Sequence, residues 1–132
     1  MAVDNKWLGF TMQASAALTD LTAGTGEIYK AVGTTGDITG DDNLAIGILQ
    51  FGADDGGHVT VGYLGDMKFT AGGAITNGAA VTVSGSGYIT TAASGDHIVG
   101  RCGISAVGSG AVGRGLFNFA NPFAVVNSNG TF

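Results

Sequence analysis

Two histidines invite the first question about chemistry, because His58 and His97 each follow a turn that carries an aspartate. An imidazole oriented by a carboxylate can serve as a general base, here as His58 with Asp54 or His97 with Asp96. Such a base needs a nucleophile within hydrogen-bond reach, and neither pair has an evident one beside it. Both imidazoles therefore read as polar strand ends. A zinc site would need two further ligands, and the single cysteine, Cys102, cannot complete the usual sets. Asp37, Asp41, Asp42 and Asn43 could offer oxygens to calcium, but their order does not follow the register of a calcium loop and no glutamate closes it. Solvated loop acids are the plainer account.

Gly108-Ser-Gly-Ala-Val-Gly113 matches the dinucleotide fingerprint letter for letter. That fingerprint works by opening a helix whose N-terminus faces a pyrophosphate, whereas Arg114-Gly115 leads on into a strand pattern. A hairpin turn is the expectation there. With no G-x-S-x-G elbow, P-loop, H-E-x-x-H or C-x-x-C either, the chain is expected to be no enzyme and to hold no cofactor or metal.

The elements around these residues are short and extended. From Asp66 to Cys102, β-type runs alternate with turn residues: Met67–Thr70, Ala79–Val83, Tyr88–Thr91 and His97–Cys102 are separated by Gly-Gly, Asn-Gly, Ser-Gly and Gly-Asp steps. This predicts a β-meander with no helix of ordinary length. Upstream, Glu27–Val32 alternates as a strand, Leu44–Phe51 is the most apolar one, and Asp54-Asp55-Gly56-Gly57 turns the chain into His58–Leu64. In that last run Val59, Val61 and Tyr63 alternate with His58, Thr60 and Gly62, the pattern of a strand with one buried face. Ala111–Phe119 is the final strand, closed by Asn121-Pro122. Setting residue n against n + 53 aligns Gly47 with Gly100, Gly57 with Gly110, Val59 with Val112 and Gly62 with Gly115. If this repeat is structural, each half holds a hairpin of the same shape, and two such hairpins can close a small barrel.

Composition bounds the partners. The 132 residues form one domain with 25 glycines, one proline and only 11% charged residues. So lightly charged a chain, 45% apolar, suggests a surface partly covered by another protein. The net charge is −5, and the five cations, Lys6, Lys30, Lys68, Arg101 and Arg114, are scattered along the sequence, which argues against nucleic acid. No apolar run is long enough to cross a membrane as a helix, and MAVDNKWLGF does not read as a signal peptide. The lone Cys102 is expected as a small buried hydrophobe, in keeping with folding in a reducing cytosol.

The ends of the chain differ from its middle. Residues 1–24 read as an arm, with Trp7, Leu8, Phe10 and Met12 followed by one or two helical turns over Gln13–Leu21, capped by Thr11. Two readings stand for its aromatics: anchors that dock on a partner, or plugs for one end of the domain's own core. Residues 121–132 form a tail. Phe117, Phe119, Phe123 and Phe132 crowd the last 16 residues as a second candidate contact region.

Several stretches resemble the capsid decoration, or cement, proteins of tailed bacteriophages: Gly24-Thr25-Gly26-Glu27, Ala45-Ile46-Gly47-Ile48-Leu49, Val59–Gly65, Ala74–Val81, Gly87-Tyr88-Ile89 and Ile98–Cys102. The likeness runs over roughly residues 23–119. It implies an all-β fold, a small glycine-rich antiparallel β-barrel or β-tulip over residues 25–120, with extended N- and C-terminal arms. It further implies a structural protein of the virion, made in the host cytoplasm and bound to the outer surface of the head. There it would be a homotrimer stabilising contacts between major capsid protein subunits, with Trp7, Leu8, Phe10, Met12, Phe117, Phe119, Phe123 and Phe132 as interface residues. The alternative is a head-fibre or tail-associated β-domain that binds a host receptor or glycan.

Overall fold

The computed structural model describes residues 7–19, 26–39, 45–104 and 108–119. Eight strands make one sheet: β1 (Trp7–Gln13), β2 (Ala31–Gly33), β3 (Ala45–Phe51), β4 (His58–Thr70), β5 (Ala80–Val83), β6 (Ile89–Thr91), β7 (Gly100–Ile104) and β8 (Val112–Asn118). A 3-10 turn, Gly85–Gly87, precedes β6. The strand order is β2-β3-β4-β8-β7-β5-β6, with β1 added to β4. Every named pairing is antiparallel. The far end of the sheet returns to its start. Gly72 N–H donates to the Ile89 carbonyl at 2.9 Å, and the 3-10 turn lies against β2. The protein is thus all-β, an antiparallel sheet bent nearly into a barrel.

The axis of this sheet is β4, 13 residues long. Val61 pairs with both Phe10 and Leu49, so β1 and β3 flank its N-terminal half on opposite edges. Its C-terminal half pairs with β8, from Leu64↔Asn118 to Thr70↔Val112. The sequence pattern divides this strand in two at Gly65-Asp66, but no turn forms there. Gly65 takes a φ of 114°, open to a residue without a side chain, and the chain stays extended. The meander expected over 66–102 is corrected in the same way. Met67–Thr70 is the end of β4, and β5 lies between β6 and β7 instead of leading onward through them in order.

Two further expectations change. Glu27–Val32 does not form one strand. Glu27–Lys30 makes a turn in which Lys30 N–H meets the Glu27 carbonyl and Tyr29 stands at φ 64°. Tyr29 instead links two strands, donating to the Leu49 carbonyl and accepting from Thr70 N–H. The helical turns over Gln13–Leu21 are absent from their described part. Residues 14–19 form an extended strap held to the β3–β4 turn by Ala14 N–H to Gly57 O and Leu18 N–H to Ala53 O, both 2.8 Å. Small side chains make a weak isolated helix, and the exposed carbonyls of the turn outcompete it.

The strap explains why there are two apolar clusters. Opposite β1, the register passes from Leu8↔Leu64 to Gly9↔Gly62 and leaves Tyr63 without a partner on that edge. Such a bulge exchanges the faces of the strand beyond it. Met67 and Phe69 therefore point into the barrel with Ile48, Ile75, Val81, Ile89, Cys102 and Phe117. Val59 and Val61 point to the outer face with Leu49 and Val32, where Ala14 and Leu18 cover them. Of the buried face predicted for His58–Leu64, Val59 and Val61 are covered, by the strap, whereas Tyr63 is half-buried and packs against the larger cluster.

The repeat falls on two hairpins, β3–β4 and β7–β8. Each shifts register at the corresponding place, between Leu49 and Phe51 in one and between Cys102 and Ile104 in the other. In each first strand a glycine packs on the opposing strand's backbone: Gly47 against the Gly62 carbonyl, Gly100 against that of Leu116. A side chain at either position would drive into a carbonyl oxygen.

Candidate docking surface

The residues proposed for chemistry separate in space. His58 and His97 are exposed, and among the described residues neither is bonded to a carboxylate. Asp96 instead accepts from Ala93 N–H at 2.8 Å and Asp37 from Ile38 N–H at 2.7 Å. Both carboxylates hold turns, the usual service of Asp in a loop. Cys102 is buried in the larger cluster. No group of three or more His, Cys, Asp or Glu is placed to hold a metal among the described residues; Asp41, Asp42 and Asn43 lie outside them. Gly108–Gly113 is a turn closed by Ala111 N–H to Gly108 O, with Gly110 at φ 83°, and it feeds β8 as a strand.

The expected contact residues sort into three groups. Phe117 and Phe119 are 2% and 9% exposed and stack at 5.8 Å between ring centroids, with Phe69 edge-on to Phe117 at 5.6 Å. They are core residues, and a partner could reach Phe117 only by opening the sheet. Phe123 and Phe132 lie outside the described residues. Trp7, Leu8, Phe10 and Met12 all lie on β1, whose alternation divides them between faces. Trp7 points inward against the larger cluster, half-buried, while Met12 packs on the smaller one. Leu8 and Phe10 point outward, and Leu8 is 56% exposed.

Register extends this outward face across the sheet. Leu8 is opposite Leu64, and Leu116 is opposite both Asp66 and Arg101, so their side chains share one face. Leu116 is the most exposed large apolar residue described, at 64%. Phe10 leans on Tyr63 at 5.8 Å between ring centroids. The result is an open apolar surface on a rigid sheet. It suits binding to another protein better than holding a small molecule, which would need a concave site. Sequence reasoning missed Leu64 and Leu116 because each is a single leucine in an otherwise ordinary alternation.

No family model matches the chain, and no curated protein matches it. Among solved structures it is similar to the crystal structure of head fiber gp8.5 N base in bacteriophage phi29, with a TM-score of 0.63 and 16% identity, over 85% of this chain and 94% of that one. The two share a fold. The correspondence spans nearly the whole of both chains, so the barrel with its strands is a common body, while so low an identity leaves the surface residues to be read on their own terms.

Proposed function

We propose that the chain is a structural protein of a bacteriophage head, a decoration or cement protein that binds the outer surface of the capsid and stabilises contacts between major capsid protein subunits. The observation that carries this reading is an open apolar face on a rigid, lightly charged β body whose fold is that of a head-fibre base. The sequence likeness to decoration proteins supports the same conclusion. A head filled with DNA is loaded at the seams between its subunits. A protein that bridges several of them adds contacts which must break together, so modest affinities multiply. This role needs a stiff sheet and an accessible contact face, and no catalytic group. In this reading the chain is made in the host cytoplasm and assembles on the head as a homotrimer.

A second reading, a head-fibre β-domain, is favoured by the structural likeness itself. Copy number separates the two. Purified chain mixed with expanded, DNA-free heads should co-sediment to saturation in proportion to the major capsid protein; saturation at a few copies per head supports the fibre reading. Failure to co-sediment at all overturns both. Sedimentation equilibrium of the free chain tests the trimer.

A further inference from the structure

The charged residues of this protein are segregated by structure in a way their scatter along the sequence conceals. Among the described residues, every Asp, Glu, Lys or Arg that lies on a strand lies in one place: Asp66 and Lys68 on β4, Arg101 on β7 and Arg114 on β8. Lys68 is directly opposite Arg114, and Leu116 is opposite both Asp66 and Arg101, so all four charges share the face of Leu116. The remaining described acids, Glu27, Asp37, Asp54, Asp55 and Asp96, sit in the connections between strands. Three of the chain's five cations thus converge around the most exposed of the described leucines, in a protein whose net charge is −5. Asp66 Oδ1 lies 2.9 Å from Arg114 Nε, and Arg101 Nη1 donates to the Gly78 carbonyl at 3.0 Å. Lys68 Nζ stands 5.7 Å from the centroid of the Tyr29 ring, so each cation is held in place while its charge stays on this face.

We infer that the outer face of β4-β8-β7 is a docking site for an acidic protein surface: the partner places an apolar side chain on Leu116 and Leu64 and its carboxylates against Lys68 and Arg101. This rests on the capsid-binding reading and specifies the chemistry of the subunit surface that is bound. Charge complementarity carries the choice of occupant. An acidic chain that collects its cations at one apolar spot gains on-rate and orientation from a carboxylate-bearing partner, and repels that partner everywhere else. Nucleic acid fits less well. A phosphate backbone needs a run of cations tracking it, whereas here two leucines and a carboxylate interrupt three. A second copy fits poorly also, because apposed identical faces would bring like charges together.

The test uses the full ¹⁵N-labelled chain and three probes: an amphipathic peptide of alternating Glu and Leu, the same peptide with Lys for Glu, and a DNA duplex. The expected result is amide shifts confined to the neighbourhood of residues 64–68, 101 and 114–116 with the acidic peptide. Lys68→Glu with Arg101→Glu should weaken them about tenfold or more, and so should added salt. Leu116→Ser supplies the apolar arm, and Asp54→Lys in the exposed turn is the control that should leave binding intact. No shifts on this face, equal shifts with the basic peptide, or stronger ones with DNA would overturn the inference. The same variants in co-sedimentation with heads keep two failures apart. Wild type that binds the acidic peptide but not heads removes the capsid reading and leaves the docking site. Heads that bind wild type and the double variant equally overturn the site and leave the capsid reading.

Discussion

Trp7 takes the space that a side chain on Gly62 would fill: a β-carbon there would stand 3.2 Å from Cε3 of Trp7 and 3.1 Å from Sδ of Met67. The indole covers a bare patch where two adjacent strands carry facing glycines, Gly9 on β1 and Gly62 on β4. An aromatic ring laid over a cross-strand glycine shields backbone that would otherwise be wetted and pins the register of the edge strand. Trp7→Ala should therefore cost about 2 kcal/mol or more of folding stability, somewhat below a fully buried aromatic truncation because Trp7 is only half-buried. Urea unfolding followed by circular dichroism reads this. An unchanged midpoint would return Trp7 to the role of a partner anchor.

Removing the N-terminal segment tests the same region more severely. Were residues 1–24 a detachable arm, their loss would leave a folded domain. With β1 paired to β4 and the strap covering Val59, Val61, Leu49 and Val32, deletion of residues 1–19 should expose four buried apolar side chains. The expected outcome is a protein that binds a hydrophobic dye and aggregates, with poorly dispersed amide resonances. A well-dispersed spectrum from the truncated chain would show that the barrel holds without its lid.

Much of this architecture is legible in the residues, and the parts that are not have a common cause. Ala45–Phe51, the first half of β4, and β8 announce themselves because alternation against a turn signal is local information. The apolar character of Phe117 and Phe119 is equally plain, but which side of a sheet they face depends on register with β4 and β7, a long-range fact. The bulge at Tyr63 is the same kind of fact. It moves Met67 and Phe69 to the barrel interior while Val59 and Val61 go outside, and nothing in the local pattern marks it. The cationic face needed three strands to be placed side by side, so counting along the chain found only scatter.

The ion pair on that face should contribute little to folding. Asp66 and Arg114 remain about a third exposed, 30% and 34%, and partly solvated pairs are typically worth below about 1 kcal/mol. A double-mutant cycle with Asp66→Asn and Arg114→Gln should return a coupling of that order. A coupling of several kcal/mol would mean that the pair is a structural clasp between β4 and β8, and not a surface feature free to serve recognition.

Cys102 offers a probe of the interior without altering the sequence. Its thiol is 3% exposed within the larger cluster, with Sγ 4.0 Å from the Arg114 carbonyl oxygen. A thiolate must form and meet its reagent, so labelling by an aromatic disulfide should be slow in the native protein and immediate in denaturant. Native labelling should accelerate in Trp7→Ala if that substitution loosens the whole sheet. Rapid labelling of wild type would show that β7 opens locally, at the strand that carries Arg101.

Closure of the barrel comes down to Gly87. Its φ of 78° lies in the left-handed region, and a β-carbon would stand 2.7 Å from Cγ2 of Ile38 and 3.1 Å from the Ala31 carbonyl oxygen. Gly95 has a similar φ of 90° but open space around it. Gly95→Ala thus isolates the conformational cost, about 1 kcal/mol, whereas Gly87→Ala adds a clash with the Ile38 side chain and a tight contact with the Ala31 carbonyl of β2 at the seam. The difference between the two in chemical denaturation should exceed about 1 kcal/mol, because a packed interior relieves overpacking only by moving backbone. Hydrogen exchange locates the effect. Faster exchange at Gly72 N–H, which bonds the Ile89 carbonyl beside the seam, is expected from Gly87→Ala and not from Gly95→Ala. Equal effects from both would mean that β6 and the 3-10 turn only rest near β2, and that the sheet is held curved by its other pairings.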